Sequence, residues 1–597
     1  MLSERLLDNA VLVKLQLAIS KVGTSNVLFG LLAIAATALV LDYAHMLYLR
    51  SRMPPGPFPL PIIGNTWMLP DHKPWIYFEE LSKKLNTPLI TFWIGRNPTI
   101  WINDAWCAHE IFEKKAQIYA SRPRMVVFGE LGSGQSNLVT MQIRNQEERE
   151  KWRIHRKLMH IGVGVQSVRG YRSIQNNESK VIALDFLREP KEYVKHLERY
   201  ATSVVSIIAF GRRVASYNDP IITEVIALMQ LAAELNVPGK TFPMLLETFP
   251  ILAKFPRSMP WFKGLGHRGQ KGGHYFFYTL AEEAIEQYAQ KSPAEQASMP
   301  KPYVKTLFEE AEKYNLPKNE LSGLTSNLFG AGADTSSSTL VSFILACCAF
   351  PDVVQKAHEE LDRVIGPHRS PHWDDSPNLP YINAFVKEVL RWRSVAIIGG
   401  QPHSPTQDDD YKGYYIPRGA WVQGNVWAMH HHEREFPDPD RFYPDRHLEG
   451  NDHHRPFPND KGYMTFGWGR RVCSGQALAE QGTWVTVARL LWGFNIRKAR
   501  DPKTGKEIDV DIFAFTNGLN MRPQPFPCEI VPRSDEIREA IEREGREALL
   551  ELKVHDGESR YRMSTFYQQQ QKKLKTKPVV DDKGSVTFVK VYKMHGT

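Results

Sequence analysis

The chain is poor in cysteine. Five occur in 597 residues: Cys107, Cys347, Cys348, Cys473 and Cys528. The number is odd and no pair has C-x-x-C spacing, which excludes a secreted disulfide framework and a zinc finger. Reduced cysteines facing the cytosol are the simpler reading. No Lys/Arg-rich tract accompanies a nucleic-acid motif, so no DNA or RNA partner is expected. Repeats and low-complexity tracts are missing between about residues 72 and 530. No charge sign dominates: a net +9 suits anionic lipid headgroups or an acidic protein partner and implies little else. With 42% hydrophobic and 24% charged residues, wholesale disorder is excluded.

Long apolar runs are also scarce, with one exception. Val27 to Leu41 carries no charge, and a weaker continuation reaches Leu49 past Asp42 and His45. Val27–Leu49 is close to the ~20 residues a bilayer helix needs. Arg50 and Arg52 follow as a cytoplasmic flank would, while Lys14 and Lys21 on the other side leave orientation open. Pro54-Pro55-Gly56-Pro57-Phe58-Pro59-Leu60-Pro61 cannot be helical and reads as a stiff spacer. The expected organisation is an N-terminal segment (1–26), a membrane anchor helix (27–49), a Pro-rich hinge (50–71), one catalytic domain (72–532) and a charged extension (533–597). The first part of that extension is expected as an exposed helix. The rest, with Gln568–Gln571 and Lys572, reads as loosely ordered.

Inside the large domain helical patterns dominate. Leu89–Trp93, Thr99–Ile102 and Trp421–Val426 read as short strands. The fold class is therefore mainly α with a small β component.

Four constellations carry chemistry. The first is Phe466-Gly467-Trp468-Gly469-Arg470-Arg471-Val472-Cys473-Ser474-Gly475, just ahead of a helical pattern. A cysteine at a helix mouth gains from the helix field and free N–H groups, which favour thiolate. Glycines let the backbone approach a flat ligand, and Arg471 can pair with a ligand carboxylate. A lone cysteine is more often a small core residue, but this one sits in polar, Gly-rich surroundings. The second is Glu388-Val389-Leu390-Arg391, whose charged ends share a helix face. The third is Gly330-Ala331-Gly332-Ala333-Asp334-Thr335-Ser336, inside a helical pattern over Leu321–Phe350. That helix is roughly 45 Å long. Its glycines cost stability and its hydroxyls bend helices, which marks either close helix packing or a functional site. The fourth is Trp152-Arg153-Ile154-His155-Arg156, with Trp and Arg on one face. His430–His432, with His453 and His454, lack the spacing of a metal site and read as loop.

The cysteine segment resembles the haem-binding loop of the cytochrome P-450 family, F-x-x-G-x-R-x-C-x-G, at every fixed position: Phe466, Gly469, Arg471, Cys473 and Gly475. The other motifs follow in family order, and the resemblance covers about residues 54–532. It implies one haem-thiolate domain holding iron protoporphyrin IX, with Cys473 as the iron ligand. It implies haem propionate contacts from Trp152, Arg156 and His403. It makes Glu388 and Arg391 a structural lock with a later arginine, identified as Arg441 in Pro439-Asp440-Arg441-Phe442. It makes Asp334 and Thr335 the acid–alcohol pair that relays protons for oxygen activation.

The implied activity is a monooxygenase that hydroxylates or epoxidises a lipophilic small molecule. Electrons come from an NADPH-dependent flavoprotein reductase, because no flavin or nicotinamide segment is fused here. The implied location is the endoplasmic reticulum membrane, single-pass, with the catalytic domain in the cytosol. Asp408–Pro417 and Asn425–His430 look like filamentous-fungal members, which points to a secondary-metabolite pathway. One departure stands out: Ser394 and Ile397 replace prolines usual after the E-x-x-R helix, so a looser cavity wall is expected. The expected lining is apolar: Val126–Phe128, Ala396–Ile398, and Phe515 with Thr516. Two other readings stay open here, a haem-thiolate isomerase or dehydratase that uses no O2, and a non-catalytic haem-binding protein.

Overall fold

A computed structural model describes residues 24–559, apart from short stretches of which 229–240 is the longest, together with the paired strands 576–580 and 586–590. Residues 1–23 and Gln568–Lys573, both subjects of expectations above, lie outside the described residues.

The first helix, α1 (Thr24–Arg52), includes the apolar run and continues through both arginines. Residues Leu28–Arg52 are long and apolar enough to cross a membrane. The helix ends where Pro54 and Pro55 remove donors.

The Pro-rich segment that follows is docked, not a free spacer. Thr91 N–H donates to Pro55 O at 3.0 Å, and Asn65 is fully buried against Trp93. It lies along β1 (Leu89–Ile94), which pairs antiparallel with β2 (Asn97–Ile102). β2 pairs in parallel with β3 (Trp421–Gly424), in the register Thr99↔Trp421. The three expected strands thus form one sheet. The third is shorter than expected because Asn425 caps a following helical turn, its side chain accepting from Ala428 N–H.

The main core is helical. Two elements carry the third and fourth constellations: α2 (Gln146–Val163) and, further along the chain, the 32-residue helix at Lys318–Ala349. Between them run α3 (Arg172–Arg188), α4 (Tyr193–Phe210) and α5 (Thr241–Thr248). The long helix, α6, packs closely on α4. A Cβ on Gly332 would stand 2.5 Å from Val205 Cγ1, so this glycine serves helix contact. α7 (Pro380–Trp392) carries the Glu388–Arg391 pair, and α8 (Gln476–Gly493) starts three residues after Cys473.

The segment after Pro532 is not an exposed appendage. α9 (Asp535–Leu552) is capped by Ser534 and buries Ile537, Ala540, Ile541, Ala548 and Leu552 in the main core. Gly545 lies so close to α3 that a Cβ there would meet Leu184 Cβ at 2.8 Å.

Candidate active site

The cysteine loop is shaped by its backbone. Cys473 N–H donates to Phe466 O at 2.9 Å, which closes the loop. Gly469 has φ +53°, and a Cβ there would sit 2.3 Å from Phe112 O. Only glycine fits without displacing backbone. At Gly475 the nearest neighbour of an added Cβ is Cys473 Sγ itself, at 4.0 Å.

The Cys473 side chain is accessible, unlike Cys107, Cys347 and Cys348, which are buried. Protein nonetheless surrounds it, and burial pushes its thiol up. The Gly475 backbone and the Arg156 guanidinium pull the other way and do not prevail. The sequence expectation of a favoured thiolate is therefore incomplete, because a cation bonded to the sulfur has to supply the rest.

Three arginines gather beside the loop. Arg471 donates to the carbonyls of Ala120, Leu138 and Met141. Arg122 donates to Val139 O and Gln401 O. Arg156 donates to Val472 O and Ser474 Oγ, both at 2.6 Å, and so ties α2 to the loop. Burial depresses all three, Arg122 to about 9. Mutual repulsion adds to it, as Arg156 acts on Arg122 and both act on Arg471. None of the three has a carboxylate partner among the described residues. Arg122 was not identified from the sequence. It belongs to no motif, and only its fold neighbours give it away.

Trp152 and His403 line the same cluster. Arg471 lies over the Trp152 ring at 4.9 Å, and Trp152 Nε1 is buried without an acceptor. His403 stacks on Phe112 at 4.3 Å and holds Tyr119 O through Nδ1 at 2.9 Å. Burial, then Arg122 and Arg471, keep it well below its ordinary range, so it is neutral at pH 7.

This arrangement fits a haem. An uncompensated cationic cluster and an orphaned indole N–H suit two propionates. An accessible sulfur amid protein would suit a thiolate ligand to the haem iron.

On α6, Ala331, Gly332, Asp334, Thr335 and Ser336 are accessible in mid-helix, with Ser326, Asn327 and Thr339 part-exposed on either side, although most of the helix is packed. Open residues in the middle of an otherwise packed helix leave that stretch free to face a ligand. Thr335 Oγ1 donates to Ala331 O at 2.6 Å, and the Asp334 carboxylate accepts from Asn520 Nδ2 at 2.6 Å. Asn520 comes from a loop far along the chain and no sequence signal announces it.

The lock differs from expectation. Arg391 meets Glu388 at 2.7 Å, both fully buried. The arginine that completes it is Arg446, whose Nε lies 3.2 Å from Glu388, with His447 Nε2 at 2.9 Å. Arg441 instead pairs with Asp352 at the surface. The chain contains two tandem P-D-R tripeptides, at Pro439 and Pro444, and the second one turns inward. Burial alone would raise the Glu388 carboxyl, but Arg391 and Arg446 hold it well below its usual range.

Ser394 is likewise pinned rather than loose. Its hydroxyl donates to Leu390 O at 2.7 Å and lies 2.8 Å from Thr465 Oγ1 and 3.1 Å from His430 Nδ1. His430 is buried, pushed down to about 3 by burial, and accepts from Met464 N–H through Nε2. The histidine run is structural, and no metal-holding cluster occurs among the described residues.

Comparison with known proteins agrees with this geometry. The cytochrome P-450 family profile matches residues 54–517. Cytochrome P-450 monooxygenase 58 of Postia placenta is 33% identical over 513 residues, covering 85% of this chain and 94% of that protein. Cytochrome P-450 monooxygenase yanC of Aspergillus niger is 32% identical over 543 residues, covering 87% and 97%. Cytochrome P-450 monooxygenase virE of Hypocrea virens is 31% identical over 496 residues, covering 82% and 87%. The chain, with its cysteine loop and its buried cationic cluster, belongs to the cytochrome P-450 family.

Proposed function

We propose that this protein is a membrane-anchored haem-thiolate monooxygenase that oxidises a lipophilic intermediate of fungal secondary metabolism. The observation that carries it is the acid–alcohol pair, Asp334 and Thr335, accessible in the middle of an otherwise packed helix. An isomerase or a haem-binding protein has no need of a proton relay there.

When bound through Cys473, the haem supplies oxygen activation with electrons from a reductase. The rest falls to the chain. Arg122, Arg471 and Trp152 would hold the propionates, with Arg156 and neutral His403 as the further contacts expected from the sequence. Arg156 orients the cysteine loop through Val472 and Ser474. Asp334, held by Asn520, exchanges protons with solvent, and Thr335 passes them toward the site. Glu388, Arg391 and Arg446 keep the loop's surroundings rigid.

The redox partner is an NADPH-dependent flavoprotein. Arg153 and Lys157 are exposed on α2, on the helix that also carries Trp152 and Arg156, and suit an acidic docking surface. The apolar α1 helix supports a membrane anchor, and the proposed location is the endoplasmic reticulum with the domain in the cytosol.

The test is spectroscopic and then catalytic. Reduced protein with carbon monoxide shows a thiolate-type Soret band, and Cys473→Ser abolishes it. Persistence of the band in the variant overturns the ligand assignment. With reductase and a pathway intermediate, Thr335→Ala raises peroxide released per NADPH consumed. Turnover that needs neither NADPH nor reductase overturns the monooxygenase reading.

A further inference from the structure

The segment Val126–Gly132 is a short π-helical turn that lies in the chain between residues of the cationic cluster. Arg122 precedes it, and Leu138 and Met141, whose carbonyls hold Arg471, follow it. Its middle meets α5. Val126, Val127 and Leu131 pack with Leu246 and Phe262 in a small apolar cluster apart from the main cores.

One polar contact crosses this seam in duplicate. Glu247 Oε2 accepts from Val126 N–H at 3.0 Å, and Oε1 accepts from Val127 N–H at 2.9 Å. These are leading N–H groups of the turn, with no partner inside it. Just beyond Glu247, Phe249 and Ile251 are exposed. A single carboxylate thus joins a segment flanked in the chain by residues of the cationic cluster to a segment that leads to the surface.

We propose that Glu247 is a positioning residue, a clasp that holds Val126–Gly132 against α5 and so controls how ligands reach the interior. Opening it parts Val126, Val127 and Leu131 from Leu246 and Phe262, around which Leu252, Ala253 and Met259 also pack. The charged groups facing Glu247 are Arg124 and Glu130, themselves paired at 2.6 Å.

The clasp is pH-dependent, with a definite sign. Burial pushes the Glu247 carboxyl up to about 7; the Val127 and Val126 N–H groups and Arg124 pull down, while Glu130 adds to the rise. Released into solvent, the group titrates near its ordinary value of about 4.3. The closed form therefore binds the proton more tightly, so acidification through pH 7 favours closing and alkalinity favours opening.

Which molecule passes the clasp rests on the proposed function; the clasp itself does not. Hydrogen exchange on the full-length, haem-loaded protein reads it directly at Val126 and Val127. After correction for intrinsic rates, protection is expected to be about tenfold higher at about pH 6 than at about pH 8. Glu247→Gln, which keeps an acceptor oxygen, is expected to be protected equally at both. Glu247→Ala is expected to lose protection at both, and to bind the iron-ligating probe 4-phenylimidazole faster. Wild-type protection that ignores pH, or an alanine variant as protected as wild type, overturns the clasp. If Glu247→Ala does not fold, the wild-type and glutamine comparisons still decide. Unchanged probe association alongside altered exchange overturns the control of entry. Loss of the carbon monoxide band removes the proposed function and leaves the exchange result standing.

Discussion

At the scale of single residues, Arg446 and Arg441 make a controlled comparison. Both sit in P-D-R tripeptides five residues apart, and both pair with a carboxylate. Arg446 shares the fully buried Glu388 with Arg391, whereas Arg441 and Asp352 are 44% and 55% exposed. Removing one member of a buried network strands a charge and costs about 3–5 kcal/mol. An exposed pair is worth about 0–1 kcal/mol. Arg446→Ala is therefore expected to lose most of its folded, haem-loaded protein, and Arg441→Ala very little, as read by thermal denaturation and haem content. Glu388 adds a pH dependence. Its carboxyl is depressed in the fold, so its stabilisation is complete at neutral pH and is lost as pH falls below the ordinary carboxylate range. Wild type is then expected to lose stability steeply on acidification, and Glu388→Gln, already weakened, to show a shallower slope. The sequence contains both arginines but not the choice between them. The choice depends on which tripeptide the chain turns inward, and spacing along the chain does not encode that. Arg122 and Asn520 escape sequence reading for the same reason, since each acts on a motif from outside it.

At the scale of elements, α6 combines two readings of its glycines that look like rivals in the sequence. Gly332 packs on Val205 of α4, while the open stretch from Ala331 to Ser336 presents the acid and the alcohol. Close packing on one side leaves the other side free to face a ligand. Gly332→Ala gains roughly 1 kcal/mol of helix propensity. It also forces a methyl against the stiff Val205, and overpacking costs about 1–3 kcal/mol. The expected net effect is a destabilisation of up to about 2 kcal/mol by denaturant unfolding. Paired with Val205→Ala it is expected to cost less than the sum, with a coupling of about 1 kcal/mol. Strict additivity would show that the two helices do not meet there. The long periodic elements were the legible part: α6 lies within three residues of its expected ends, and the three short strands occur where β-branched and aromatic runs place them. α9 was half legible. Its charge-rich composition suggests exposure, yet Ile537, Ile541, Ala548 and Leu552 recur at helical spacing and find the core. Ending the chain after Pro532 removes that face together with the Glu544 bonds to Ser370. A markedly lower melting temperature is expected, since each buried Ile or Leu contributes about 1.5–3 kcal/mol.

At the scale of the whole molecule, the anchor and the catalytic domain are one piece of structure. A Pro-rich stretch after an apolar helix reads as a hinge, but the helix does not stop where the apolar run stops. Its last turns carry Asp42, which pairs with Arg96 of the β1–β2 turn, and Tyr43, which donates to Pro59 O at 3.0 Å. Arg50 donates to Gly56 O at 3.2 Å and lies over the Phe58 ring. Met46 and Met53 are buried with Trp93, Ile100 and Val422 in the second core cluster. Asp42, the first charge after the apolar run, is therefore a docking contact, and it marks where the accessible part of the helix gives way to the packed part. This divides the helix into two functions that truncation separates. Starting the chain at Asp42 removes the fully accessible apolar run and is expected to release the protein from membranes with its melting temperature nearly unchanged. Starting it at Pro54 also removes Met46 and Met53 from a packed cluster. Each buried methionine of this kind is worth about 2–5 kcal/mol when cut away. The shorter protein is then expected to melt several degrees lower than the one that begins at Asp42, even in detergent, where solubility is not in question. Equal melting temperatures for the two would mean that the tail of α1 is a tether after all and that the docking contacts add nothing to the fold.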